Sequence, residues 1–225
     1  MTSRVLPPTR RRGPRPGSPR GPRLSREARE RQLIGIAERI FAERGFANTT
    51  MAMIAAQAGI TKPVIYDHFG SKEGLLAAVI EQASLDLADA VAGGVRAVRP
   101  DASAEESFRA GVRAYFEFAD AHALAWRRFI RDGQVGGLAA PTVEAARGEQ
   151  RASLVDELRR VPAFGTLPTG QLEGVVEGLI GACERIAVWR AERPTVDADA
   201  ATEMVMSLTW HGISALIDAD GIAGG

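Results

Sequence analysis

The sequence predicts an all-α protein of about nine helices. A three-helix N-terminal domain carrying a helix-turn-helix comes first, with a helical body after it. Three observations predict this. Apolar residues recur at three- and four-residue intervals from Leu33 to Ile217, the spacing of one helix face. No run alternates apolar and polar residues as a half-buried strand does. The breaks between the periodic stretches fall at Gly45, Gly59, Pro100 and Pro194, residues that end helices or cannot continue them.

Composition narrows the class. The single cysteine, Cys183, excludes an internal disulfide and suits a reducing compartment. No apolar run approaches the ~20 residues of a membrane span. The basic N-terminus lacks the apolar segment of a signal peptide. A cytoplasmic protein is expected. Zero net charge hides an asymmetry: residues 1–72 hold fourteen Lys/Arg against five Asp/Glu, and residues 73–225 hold fourteen against twenty-three. A basic front on an acidic body suits a protein that presents one end to a polyanion.

Residues 1–23 contain seven arginines, six prolines and no acid. They are expected to be a disordered arm. It either tracks DNA phosphates or minor groove, or is a tail without defined contacts. The DNA-binding domain is then 24–72 and the ligand-binding and dimerisation domain 73–225. Ser25 and Gly45 bracket helix 1, about Arg26–Arg44, whose stripe Leu33, Ala37, Ile40, Phe41 supports the helix-turn-helix.

Residues 49–72, TTMAMIAAQAGITKPVIYDHFGSK, read as two short helices about a tight turn. Thr49 or Thr50 caps the first, and Gly59 ends it. Thr61 caps the second, and Pro63 sits in its first turn, where a missing N–H costs nothing. Ala55, Gly59 and Ile65 meet the close-approach requirement of a helix-turn-helix. Lys62, Val64, Tyr66, Asp67, His68 and Lys72 are left on the outer face. The chain's two lysines, Lys62 and Lys72, are both here. Lys72 begins the next helix, where a cation opposes the helix dipole and a bound phosphate relieves the conflict.

A connecting helix is predicted from Ser71 to about Ala97, with Gly93-Gly94 fraying or bending its end. Further helices are expected near Ala104–Ala121, Ala123–Arg131 and Thr142–Arg160. A connector over Val161–Thr169 leads to the last pair, near Thr169–Glu192 and Val196–Asp218. Both of these look apolar on more than one side. Such a helix faces its own core and a partner chain, or sits in a single thick core.

Gly45-Phe46, Thr49-Thr50, Ile54-Ala55, Ala58-Gly59-Ile60, Val64 to Phe69 and Lys72 to Leu76 resemble the DNA-binding domain of the TetR family of bacterial regulators. The resemblance covers about fifty residues, from near Arg26 to near Leu76. It implies a homodimer paired through the last two long helices as a four-helix bundle. It implies double-stranded operator DNA and a small-molecule effector as partners, and repression relieved by ligand. It implies DNA contacts at Thr50, Thr61, Lys62, Pro63, Val64, Tyr66, His68 and Lys72. Thr50, Tyr66, His68 and Lys72 correspond to phosphate contacts; Thr61 to Val64 fall where the recognition helix meets bases. Asp67 either accepts from a cytosine amine or pairs within the protein.

In the body, Phe108, Tyr115, Phe116, His122, Trp126, Phe129 and Trp189 are the candidate ligand pocket, an apolar cavity with a few polar tips; the alternative for each is plain core. His68, His122 and His211 lack partners at metal spacing, and no nucleophile, phosphate-loop or dinucleotide motif occurs. No cofactor, metal or catalytic residue is expected, and no membrane partner. Two rival readings remain. One is a helical ligand-binding or enzymatic protein whose helix-turn-helix is only structural. The other is a DNA-bound regulator without a ligand.

Overall fold

The computed structural model of the protein describes residues 24–122 and 140–223. These residues form nine helices and no strand: α1 (Arg26–Arg44), α2 (Met51–Gln57), α3 (Lys62–Phe69), α4 (Lys72–Ala97), α5 (Ala104–Ala121), α6 (Ala140–Leu158), α7 (Pro162–Gly165), α8 (Thr169–Arg190) and α9 (Ala198–Ala223). The helix expected at Ala123–Arg131 and the arm 1–23 lie outside the described residues. Inside the expected connector 161–169, Pro162 opens the single turn α7, and Phe164 from it is fully buried.

Local chemistry sets the helix ends. Ser25 Oγ accepts from Ala28 N at 3.1 Å to start α1. Thr50 is the cap of α2, its Oγ1 accepting from Met53 N at 3.3 Å. Thr49 is instead buried and donates its hydroxyl to Gly45 O at 2.8 Å. After α2, Gly59 adopts φ 67°, Gly59 N donates to Ala56 O and Ile60 N to Ala55 O at 2.9 Å. This is the left-handed Schellman closure, in which a β-carbon is disfavoured. Thr61 holds the N-cap position of α3 without a side-chain capping bond, contrary to the expected cap. Ser71 caps α4 through Gly74 N at 2.9 Å.

These faces build two cores. The first joins Leu33, Ala37, Ile40 and Phe41 of α1, Ile54 and Ala55 of α2, Ile65 of α3, and Leu75, Leu76 and Val79 of α4. The second joins Leu87 and Val91 of the same α4 to Phe108, Val112 and Phe116 of α5, Val155 and Leu158 of α6, Val176 and Ile180 of α8, and Val205 of α9. α4 therefore belongs to both, and the first core reaches past residue 72. Burying a Leu, Ile or Phe side chain contributes ~1.5–3 kcal/mol, so each end of α4 is held firmly.

Gly93-Gly94 does not fray α4, which runs unbroken to Ala97. A β-carbon at Gly94 would lie 2.7 Å from Ala114 Cβ and 2.9 Å from Ala110 O. The missing side chain is thus where α4 and α5 cross at backbone contact. Arg190 fastens the far end. Its buried guanidinium donates to Phe116 O at 3.1 Å, Asp120 Oδ1 at 2.6 Å and Val196 O at 3.2 Å, and so ties α5, α8 and the α8–α9 turn. A buried guanidinium is tolerated only with its donors satisfied in this way.

Candidate nucleic-acid interface

α3 presents one face and buries another. Ile65, at 0% exposure, points into the first core. Thr61, Lys62, Pro63, Val64, Tyr66 and Asp67 are exposed around it. Val64 and Tyr66 are conspicuous: large side chains left 39% and 47% exposed at the start of a helix whose first N–H groups lack intrahelical partners. Lys62 and the unused hydroxyl of Thr61 flank them. Thr50, also exposed, opens α2 beside them. Hydroxyls, an ammonium and apolar tips on one short helix are the reagents for phosphates and base edges.

The two remaining candidates face inward. Lys72 Nζ donates to Phe46 O at 2.9 Å and Thr49 O at 3.0 Å, and it lies 4.2 Å from the Phe46 ring centroid. The conflict between this cation and the α4 dipole is relieved by protein carbonyls. The same two bonds fix the loop that delivers Thr50. His68 is similarly engaged: Nδ1 meets Glu30 Oε1 at 3.0 Å, with its side chain 9% exposed. The His68 hydrogen bond, with the Arg26 charge behind it, holds the Glu30 carboxyl below its ordinary range against a desolvation that raises it. Glu30 is then an ionised acceptor, so Nδ1 carries the proton. Asp67 lies 3.9 Å from Arg26 Nη1, an exposed pairing within the domain.

The candidate pocket residues separate. Phe108 and Tyr115 line a cavity of about 40 Å³ between α4, α5, α6 and α8. Phe116 is fully buried beside them, under the Arg190 guanidinium, but does not line it. His122 ends α5, its ring stacked on Phe118 at 4.0 Å. Trp189 is 40% exposed on the outer side of α8, beneath Arg193. Trp126 and Phe129 lie outside the described residues. The cavity meets α4 at Val91 and Val95, nearer its C-terminal end than Val79 to Leu87.

Cys183 and Glu157 also line it. Burial pushes the Cys183 thiol up to about 12, so at neutral pH it is a small apolar group. Sequence reasoning missed Glu157, although its signal was present: a carboxylate falls one residue before Leu158 and three after Leu154, inside an apolar stripe.

Trp189 belongs to another surface. With Ile186 it faces Met204 and Leu208 of α9 across an open groove. Leu208 is 75% exposed, and Met204 and Leu216 are 37% exposed. β-carbons built on Gly174, Gly178 and Gly181 of α8 would meet no neighbour. Among the described residues no three His, Cys, Asp or Glu side chains converge as metal ligands, and no helix is long and apolar enough to cross a membrane.

Comparison with known proteins bears on this arrangement. Residues 33–79 match the tetR family of bacterial regulatory proteins, and residues 104–212 match the tetracyclin repressor-like C-terminal domain. The HTH-type transcriptional activator FasR of Mycolicibacterium smegmatis is 30% identical over 204 residues, 89% of this chain and 90% of that one. The HTH-type transcriptional regulator BetI of Escherichia coli O157:H7 is 29% identical over 164 residues, 70% and 84% of the two chains. The crystal structure of a TetR-like transcriptional regulator from Rhodococcus sp. RHA1 superposes with a TM-score of 0.61 at 30% identity, over 85% of this chain and 99% of that one. With the helix-turn-helix and the helical body in place around these matches, the chain belongs to the TetR family and is a DNA-binding transcription regulator.

Proposed function

We propose that the protein is a cytoplasmic homodimer that holds two α3 helices in successive major grooves of a palindromic operator and is released by a small, partly apolar molecule. The observation that carries the DNA half is the exposed start of α3, with Lys62, Val64 and Tyr66 outward over a buried Ile65. Thr50 and Tyr66 contact phosphates, and Thr61, Lys62, Pro63 and Val64 meet bases. His68 and Lys72 act from behind, by fixing α1 and the α1–α2 loop against α3 and α4. Two-fold symmetry sets half-sites about 34–36 Å apart.

The partner surface is the outer face of α8 and α9, over about residues 169–192 and 196–218, where Trp189, Met204, Leu208 and Leu216 are exposed. Large apolar residues grouped on one face mark an interface. The open glycines of α8 admit a partner helix to backbone contact. The effector site is the cavity behind α4. At about 40 Å³ it is far below the roughly 300–1,000 Å³ of sites for drug-sized ligands. In this reading the described packing is the state that binds DNA, and an effector of that size needs a wider cavity. A ligand that fits only a wider cavity shifts the population away from that state.

Such a switch serves repression relieved by ligand, the logic usual in the family. The name of the FasR relative, an activator, favours a second reading in which the bound dimer recruits rather than blocks. Both readings need DNA binding and neither needs a catalytic step. The test is footprinting of purified protein on the DNA upstream of its own gene. A symmetric protected site of two half-sites one turn apart is expected. Absence of any protected site at low salt overturns the reading. Transcription of a reporter from that site, with and without the protein, separates repressor from activator.

A further inference from the structure

Glu157 is the charged side chain in an otherwise largely apolar cavity wall. It projects from the last turn of α6 with its side chain only 7% exposed. One carboxylate oxygen is heavily used. Oε2 accepts from Arg96 Nη1 at 3.3 Å and from Arg160 Nη1 at 2.5 Å. Both of these bonds fall on Oε2 and leave Oε1 outside them. Arg96 sits in the last turn of α4, about two and a half helix turns beyond Leu87 and next to the cavity residue Val95. Both arginines are more than half exposed, so they can be rehydrated when Glu157 moves, whereas Glu157 cannot.

Taking the cavity as the effector site proposed above, we infer that Glu157 is its recognition residue. It accepts a hydrogen bond from a neutral donor, a hydroxyl or amide N–H, on an otherwise apolar ligand, and loosens Arg96 of α4 in doing so. Charge selects the neutral class. An anionic head group meets the carboxylate at close range. A cationic one meets two guanidiniums already gathered on Oε2. Either must also shed its water in an apolar cavity, which is costly without a partner. A hydroxyl or amide loses less and finds a charged acceptor, the stronger kind of hydrogen bond. The Tyr115 ring lies on the same lining. The coupling is mechanical. The Arg96–Glu157 pair joins α4 to α6 across the seam that has to widen for a ligand to enter, and the other end of α4 is built into the DNA-binding core.

The test uses the full-length protein and a matched set of probes built on a six-carbon chain: hexan-1-ol, 1-methoxyhexane, hexanoate and hexylammonium, titrated calorimetrically. Hexan-1-ol is expected to bind about ten- to hundredfold more tightly than its methyl ether, the worth of one hydrogen bond to a charged acceptor, and both ions more weakly than the alcohol. Glu157→Met, of similar volume, abolishes the gap between alcohol and ether. Glu157→Gln, should the first variant fail to fold, narrows it. Leu179→Trp fills the cavity from its edge and blocks both neutral probes. Equal binding of alcohol and ether to the wild type, or a gap that survives Glu157→Met, overturns the role of Glu157 while leaving the cavity as the site. Neutral probes that bind Leu179→Trp as well as the wild type overturn the cavity itself, and the effector reading with it. An ion that outbinds the alcohol overturns the neutral-ligand class.

Discussion

Lys72→Ala separates a DNA contact from an internal brace. In the wild type the Lys72 ammonium donates to Phe46 O and Thr49 O and lies over the Phe46 ring. Each hydrogen bond from a charged donor contributes ~1.5–3 kcal/mol net, and the ring adds ~0.5–1 kcal/mol. Against this stands a cation at the N-terminus of α4, unfavourable by ~0.3–1 kcal/mol. The site is half-buried and the two carbonyls regain some water, so the net loss is about 2–4 kcal/mol. All three tryptophans, Trp126, Trp189 and Trp210, lie in the body. Tryptophan fluorescence during denaturation therefore reports the body, while far-ultraviolet circular dichroism reports both cores. Lys72→Ala is expected to bring forward part of the dichroism transition and leave the fluorescence transition in place. Lys62→Ala, whose side chain is exposed, leaves both transitions unchanged and lowers discrimination between operator and random DNA by ~1–3 kcal/mol, the worth of a base contact. A Lys72→Ala protein of wild-type stability whose slope of log affinity against log salt has fallen by about one unit would refute the brace and restore a phosphate contact.

Other positions discriminate in the same way. Leu208→Asp should give a folded monomer by light scattering, because Leu208 is 75% exposed on the proposed partner face; Val176→Asp should give unfolded or insoluble protein, because Val176 is 0% exposed within one chain. Gly94→Ala should destabilise by ~1–3 kcal/mol through overpacking against α5, although alanine favours helix. Gly93→Ala, with nothing within 4 Å, should stabilise by ~0.5–1 kcal/mol, both measured by denaturant titration. Cys183, with its thiol pushed up to about 12, should react with iodoacetamide at neutral pH only at the rate of local or global opening; rapid labelling of native protein would place it outside the core.

The N-terminal half was legible because each of its devices is local. Caps, a left-handed glycine and Ile65 between exposed neighbours are all decided within a few residues. The contacts that escaped sequence reasoning there are long in range. Lys72 and Phe46 are 26 residues apart, and His68 and Glu30 are 38 apart. An outward position on a helical wheel says nothing of where a flexible ammonium ends. In the body, helix periodicity placed Phe108, Tyr115 and Phe116 inward. It could not choose which of them lines a gap, because a cavity is defined by four helices at once. Trp189 shares only the residue type of the pocket candidates, and it is 40% exposed on the outer side of α8. Gly93-Gly94 reads as weakness in isolation, yet Gly94 is a crossing point once α5 is beside it.

The sharing of α4 between the two cores has a consequence for how such chains can be rearranged. Its 26 residues make a rod of about 39 Å at ~1.5 Å per residue. The stretch from Ile80 to Asp86 separates Val79 in one core from Leu87 in the other. Inserting one residue there turns one end against the other by about 100° and slides it ~1.5 Å. The cavity face then no longer looks toward α5 and α6 while the DNA-binding end stays seated. An insertion of seven returns the faces to within ~20° but lengthens the rod by two turns. Exchange of bodies between relatives is therefore restricted to junctions that keep this segment at fixed length, however far the sequences on either side have diverged.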